Sequence, residues 1–357
     1  MSLVRTTSSA AALLTACALL GARSAGAASP APAFAVGWQG TGCAAAVSPP
    51  ATLRVGLVLD GGLENPFNAI MYRGLRSAAS LPGVVGRALV MGPKEEGLAT
   101  LSYLARRGFD LLVMPAGLYT AALDAAALRF PHVCFLSLDG PLSMFPHQPP
   151  NVRGTLYRTE QAAYLAGYLG VLVAKQRPGR PVVSTVAGAA IPLVDRFVAG
   201  FRAGARRADP RVRLLNGYAG DFADPAKCRA LALHQIAAGS RVVFQVAGTC
   251  GLGALQAAKE KHVWGIGVDS DQSDLGPHVL TSVLKNMDVE LVREVRSLRQ
   301  GTFTAGTTAV LTLANGGVGL GRFSPLIPRP LLAKVEQLRR ELIAGRIRVP
   351  ATLDEMG

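Results

Sequence analysis

The sequence predicts an α/β protein of two Rossmann-like lobes, each on a parallel sheet, joined by a multi-strand hinge. Three observations predict it. Short runs rich in branched apolar residues alternate with helical patterns from Leu53 onward, and the same plan starts again at Val182. The runs themselves, such as Leu111-Leu112-Val113-Met114 and Val242-Val243-Phe244, are continuously apolar. Alternation of this kind places helices on both faces of a parallel sheet. A strand buried on both faces has no polar side to show, so it reads as one apolar run. A chain of 357 residues, 50% hydrophobic and 17% charged, has the material for two such lobes.

In the first half, strands are expected at 53–59, 86–91, 111–114 and 133–138, with helices at 67–79, 95–107 and 119–129 between them. A helix over 159–175, with Thr159 and Glu160 at its start, bridges the halves. The second half carries strands at 182–186, 212–218, 241–246 and 264–268, and helices at 192–207, 225–238 and 251–261. Beyond Asp271 come a strand at 279–284, a helix at 289–299, a strand at 308–313, a glycine-rich turn and a last helix at 330–344, which pass back across the hinge. Two sheets of four or five strands follow. The first lobe takes 53–157 with parts of 283–345, and the second takes 158–282 with returning segments. Such a protein holds its ligand at the carboxyl ends of the strands, between the lobes.

The amino end has the layout of an export signal over 1–28: Arg5, an apolar stretch from Ala10 to Ala22, and small residues at Ala25-Gly26-Ala27. The same stretch contains Leu14-Thr15-Ala16-Cys17, which fits a lipobox with Cys17 as the acylated residue. The two cuts exclude one another. Residues 29–52, with Pro30, Pro32, Pro49 and Pro50 among small side chains, read as a flexible linker. No later stretch reaches the roughly twenty apolar residues that a bilayer crossing needs. The net charge of +14 comes mainly from arginines scattered singly over helices, with aromatics at only 6%, so a nucleic-acid reader is not indicated. Adhesion to an anionic membrane surface is compatible with it.

Cys17, Cys43, Cys134, Cys228 and Cys250 show no C-x-x-C spacing, so neither a zinc site nor a disulfide framework is indicated. One bridge is permitted without a choice of partners, and buried or idle thiols are the plainer reading. Polar residues gather in the loops after strands: Asp60 to Asn68, Gly117-Leu118, Asp139-Gly140, Gly248 to Gly253 and Asp269 to Gln272. Gly248 to Gly253 lacks the Gly-Lys-Ser/Thr of a phosphate loop and reads as a tight strand-to-helix turn. Asp269 and Asp271 have no His or third carboxylate beside them, so holding a sugar diol suits them better than a metal or an acid/base dyad. The five histidines form no H-E-x-x-H and there is no G-x-S-x-G, which removes the usual signatures of hydrolysis. No cofactor, metal site or catalytic set is indicated.

Four strings together carry a family resemblance: Asn65 to Asn68, Ala189 to Phe197, Gly265 to Gln272 and Leu280 to Lys285. In order and spacing, from about Leu53 to about Pro350, the chain resembles the basic membrane protein family, PnrA-like substrate-binding lipoproteins of ABC importers. The resemblance implies a type I periplasmic-binding-protein fold and a purine nucleoside as ligand. It also implies an ABC permease and ATPase as partners and a place at the outer face of the cytoplasmic membrane or in the periplasm. Phe67 matches the aromatic that stacks on the base, with Asn68 beside it. Asp269 matches the carboxylate on the ribose hydroxyls, and Lys285 the lysine of the cleft. Asp60, Gly117, Asp139 and Gly248 occupy loops that line the site in such proteins. A second aromatic wall, when present in such proteins, comes near the fourth-strand loop of the far lobe, where Val246 and Ala247 stand here, with Phe197 as its substitute. A sensor of the same fold, or a receptor for a sugar or other small polar solute, is the alternative.

Overall fold

A computed structural model describes Cys43 and residues 52–92, 96–115, 117 and 119–356. The segment 1–28 expected to be an export signal, Cys17 within it, and nearly all of the expected linker over 29–52 lie outside the described residues.

Lobe one opens with β1 (Leu53–Leu59), α1 (Pro66–Ala79), β2 (Val84–Val90), α2 (Gly97–Arg106), β3 (Leu111–Pro115), α3 (Thr120–Arg129), β4 (Cys134–Leu138) and β5 (Val152–Tyr157). Helix α4 (Thr159–Ala174) leads into lobe two. There follow β6 (Val182–Ala187), α5 (Pro192–Ala208), β7 (Arg213–Tyr218), α6 (Pro225–Ala237), β8 (Val242–Val246), α7 (Cys250–Glu260), β9 (Trp264–Asp269) and β10 (Val279–Lys285). The chain returns to lobe one as α8 (Met287–Arg299) and β11 (Thr307–Leu311), then to lobe two as β12 (Val318–Leu320), and ends in α9 (Arg329–Ile343).

The two sheets have orders β11-β5-β4-β3-β1-β2 and β12-β10-β9-β8-β6-β7. All pairings are parallel except β10 with β12. Each sheet has six strands, more than expected, because β5 and the three-residue β12 join them. Arg153 and Gly154 interrupt the apolar run of β5, and its strand state comes from neighbours on both edges, β4 and β11.

Strands β1, β3, β4, β6 and β8 are buried almost throughout, and helices cover both faces. Full burial of each Leu, Val or Ile side chain contributes roughly 1.5–3 kcal/mol. Two helices start on the same local signal. The Asn65 side chain accepts from the Phe67 amide at 3.0 Å ahead of α1, Asp224 accepts from the Ala226 amide at 2.9 Å ahead of α6, and proline takes the first helical position in both. Helices α4 and α5 cross in close contact. A Cβ at Gly200 or Gly204 would stand 2.3 or 1.9 Å from the carbonyl oxygens of Glu160 and Tyr164, so only glycine admits this approach.

The reading of the cysteines as idle thiols is corrected. Cys43 is bonded to Cys134 and Cys228 to Cys250, with Cα atoms 5.1 and 5.4 Å apart. The expectation failed because it began the folded domain at Leu53 and left Cys43 in the linker, whereas Cys43 is buried at the start of β4. Among the described residues no helix is long and apolar enough to cross a membrane.

Candidate ligand-binding cleft

A cavity of about 170 Å³ lies where the carboxyl ends of the strands of both sheets converge. Lobe one supplies Asp60 and Asn65 after β1, Phe67 from α1, Pro115 at the end of β3 with Gly117 beyond it, Tyr119, and Asp139 after β4. From lobe two come Ile191, Leu193, Val194 and Phe197 around the start of α5, and Phe222 from the loop between β7 and α6. Val246, Ala247 and Gly248 after β8, Val268 and Asp269 of β9, and Lys285 at the end of β10 complete it.

Of the eight residues expected at the site, Asp60, Phe67, Gly117, Asp139, Gly248, Asp269 and Lys285 line this cavity. Asn68 does not. It is fully buried, and its Nδ2 donates to the Gly62 carbonyl at 3.2 Å, bracing the loop from behind. One residue along a helix turns the side chain by roughly 100°, so a Phe67 that faces the cavity sends Asn68 into the core. Asp271 is also elsewhere: Arg322 holds it at 2.8 Å, and it accepts from the Ser273 amide. In the Gly248 to Gly253 run, Gly248 reaches the cavity with φ 54°. Gly251 and Gly253 instead pack against Gln245 and the Pro225 carbonyl.

The polar end of the cavity is a triad. Lys285 Nζ donates to Asp139 Oδ2 at 2.6 Å and stands 3.6 Å from Asp269 Oδ1. Asp139 belongs to lobe one and Lys285 to lobe two, so this bond spans the cleft. All three groups are nearly removed from water, Lys285 at 3% exposure. Burial alone would push the Lys285 ammonium toward neutrality, but Asp139 and Asp269 outweigh it and hold its pKa above the usual lysine value. Burial pushes Asp269 up; Lys285 opposes this and Asp139 adds to it. Two carboxylates facing one ammonium leave one excess negative charge when all are ionised.

Both acids sit in the left-handed region, Asp139 at φ 58° and Asp269 at φ 64°. For a non-glycine residue this costs roughly 1–3 kcal/mol, and such strain gathers at functional sites. Asp60 accepts from the Tyr119 hydroxyl at 3.3 Å, and burial together with that carboxylate pushes the Tyr119 phenol up to about 12.

The remaining walls are apolar or aromatic. The Lys285 ammonium lies 5.4 Å from the Phe67 ring centre and 5.1 Å from that of Phe197. Where the second aromatic wall was expected, Val246 and Ala247 do line the cavity, and Phe197 joins them. Phe222 was missed by sequence reasoning. A signal was present: it precedes the Asp224-Pro225 helix start and follows a strand, which is the position of a cleft loop.

Two α/β lobes with matching sheets, closing on a small cavity with a charged end and aromatic walls, define a solute-binding protein of the type I periplasmic-binding fold. The chain belongs to the Bmp family, ABC transporter substrate-binding proteins described as PnrA-like, whose family model matches residues 52–352. It is similar to basic membrane protein B of Borrelia garinii subsp. bavariensis, at 28% identity over 84% of this chain and 87% of that one. The ABC transporter nucleoside-binding protein BmpA of Lactococcus lactis subsp. cremoris is 28% identical over 69% of this chain and 72% of its own. A solved ABC transporter solute-binding protein from Aeropyrum pernix superimposes with a TM-score of 0.74 at 23% identity, covering 85% of this chain and 95% of that one. The chain is thus an ABC transporter solute-binding protein, of a family that works outside the cytoplasm, takes small polar ligands and is not a family of enzymes.

Proposed function

We propose that the chain captures a nucleoside, a purine nucleoside by preference, in the interlobe cavity and hands it unchanged to an ABC permease. The observation that carries this reading is the acid–lysine–acid triad at one end of a cavity otherwise walled by aromatic and aliphatic side chains. A nucleoside has the matching halves: a flat ring and a set of hydroxyls. Phe67 stacks on the base from lobe one, with Phe222 and Phe197 as facing walls. Asp269 and Asp139 accept from the ribose hydroxyls, Lys285 donates to a sugar oxygen, and Asp60 takes a donor on the base. Gly117 and Gly248 let the backbone approach closely.

Stacking of a base on an aromatic contributes roughly 1–3 kcal/mol, and a hydrogen bond to a charged group roughly 1.5–3 kcal/mol. A few such terms, less the cost of immobilising the ligand, reach about −8 kcal/mol, a micromolar Kd. Contacts from both lobes favour the closed form, which is the state a permease reads. The excess negative charge disfavours a phosphate, so nucleosides are taken in preference to nucleotides. The name of the Lactococcus lactis relative supports the nucleoside class.

Calorimetry with nucleosides, free bases, pentoses, hexoses and nucleoside monophosphates tests this. The expected result is a Kd of about 1 μM or tighter for a nucleoside and at least roughly tenfold weaker binding of its monophosphate. Saturable binding of a hexose with none of any nucleoside would overturn the proposal. We further infer export through the 1–28 segment, with the mature end at Ala28 or at an acylated Cys17; the intact mass of the exported protein distinguishes the two.

A further inference from the structure

The loops that enter the strands of lobe two lie at the end of that sheet away from the cavity, and they hold a basic excess that ligand capture does not use. Lys175, Arg177 and Arg180 stand exposed between α4 and β6. Arg211 and Arg213 do so at the entry to β7, and Lys259 and Lys261 at the end of α7. Two carboxylates stand among them: Asp209, buried and held by Lys175 at 3.0 Å, and Glu260, held by Arg229 at 2.6 Å. The matching end of lobe one also carries exposed arginines, Arg54, Arg76, Arg106, Arg107, Arg129 and Arg296, so the number of basic residues does not set lobe two apart. A helix carboxyl end attracts about one cation through its dipole. What sets lobe two apart is a groove that four of its cations line together with a single carboxylate.

The surface is also pre-set. Arg241 donates to the carbonyls of Ala174 and Arg177 at 2.9 and 2.8 Å and to that of Pro178. Arg177 donates to His262 O at 2.9 Å, and Arg180 to Arg211 O at 2.5 Å. These bonds knit three loops around a groove of about 600 Å³ whose charged lining is Lys175, Arg177, Arg180, Arg211 and Asp209.

We propose that this end of lobe two docks on an anionic phospholipid surface, with lipid phosphates entering the groove. The loops over 175–181, 206–213, 238–241 and 259–263 contain no Phe, Tyr or Trp. They therefore lack the Phe, Tyr or Trp platforms on which a single-strand nucleic-acid reader stacks successive bases. Cations held within a Debye length, about 8 Å at physiological salt, act together on an anionic bilayer. The proposal rests on the family's place outside the cytoplasm beside its transporter and is independent of which solute the cleft takes. Lipid docking at this end leaves the cavity open to solute.

The test is co-sedimentation of the purified protein at 0.15 M salt with vesicles of phosphatidylglycerol and phosphatidylcholine, against phosphatidylcholine alone. Binding is expected to the anionic vesicles only. The triple variant Arg211→Glu/Lys259→Glu/Lys261→Glu reverses exposed charges, so its thermal unfolding stays unchanged while partitioning falls at least about a hundredfold, at about fivefold for each cation removed. Arg106→Glu/Arg107→Glu/Arg129→Glu, of identical net charge, retains binding within about threefold. Equal losses in the two variants would reduce the effect to net charge and overturn the docking face. So would an unaltered protein that ignores anionic vesicles, or one that binds duplex DNA more tightly than vesicles at the same salt.

Discussion

The two lobes have the same strand order, yet matching strands end in different chemistry. β4 and β9 hold the same place in their sheets, and both finish at an aspartate with positive φ, Asp139 and Asp269. β5 and β10 also correspond, but one ends in Tyr157 and the other in Lys285. The cleft therefore has acceptors from both lobes and its buried ammonium from lobe two alone. Lys285 joins the halves through Asp139 of lobe one, with Asp269 of its own lobe as the second acid beside it.

The crossing helices repeat the contrast. In α4 the buried Glu160 is held by Arg158 and, at 3.2 Å, by Arg196. In α8 the buried Glu290 has Arg293 at 2.6 Å but also Glu294, itself held by Arg153, for a neighbour. Burial pushes Glu290 up to about 7, with Arg293 opposing and Glu294 adding to the shift. A near-symmetric scaffold thus places its less fully compensated acid under lobe one.

Disulfide loss should separate the lobes most. Cys43 and Cys134 enclose 91 residues of sequence, Cys228 and Cys250 only 22. Chain entropy then assigns about 4–5 kcal/mol to the first bridge and about 3 kcal/mol to the second. Denaturant unfolding of Cys43→Ser/Cys134→Ser and Cys228→Ser/Cys250→Ser should rank them in that order, and the reverse ranking would break the loop-length account.

Next comes the lysine that only lobe two provides. Lys285→Met leaves two facing carboxylates without their cation, at about 3 kcal/mol or more of stability at pH 8. The loss should shrink at pH 5, where one acid can take up a proton. A loss independent of pH would show that the aliphatic stem of Lys285, rather than its charge, joins the lobes.

Glu290 sharpens the comparison of the crossing helices. Its folded value of about 7 lies above an ordinary 4.5, so the folded state holds this proton more tightly than the unfolded chain. Its contribution to stability is complete below about pH 4.5, declines as pH rises toward 7, and is gone above that. Glu290→Gln should flatten this slope and raise stability at pH 8 by roughly 1–3 kcal/mol, read from denaturation across pH 4 to 8. An unchanged slope would move the titration to another group.

The smallest effects concern ligand walls. Phe67→Ala and Phe222→Ala should each weaken nucleoside binding by about 1–2 kcal/mol, roughly tenfold, without loss of fold. If only Phe67→Ala does so, the base rests on lobe one alone and Phe222 merely closes the cavity.

Much of the fold was legible because burial on both faces writes itself into sequence as continuous apolar runs. Runs of this kind mark β3 and most of β8. β5 was not legible, since Arg153 and Gly154 are tolerated only between two neighbouring strands. At the site, loops after strand ends pointed to Asp60, Phe67, Gly117, Asp139, Gly248 and Asp269, and the family resemblance added Lys285. Asn68 was misplaced because adjacent helix residues face different ways. Phe222 was overlooked because its role depends on a loop meeting the opposite lobe.

By itself the amino-acid order determined periodicity, the helix starts at Asn65-Pro66 and Asp224-Pro225, and which loops stand at strand ends, since each depends on residues a few positions apart. Only the tertiary structure decided that Lys285 reaches Asp139 across 146 residues of sequence, that Asp271 belongs to Arg322, and which cysteines pair. Those choices depend on how two sheets are brought face to face, a distance that local propensity does not encode.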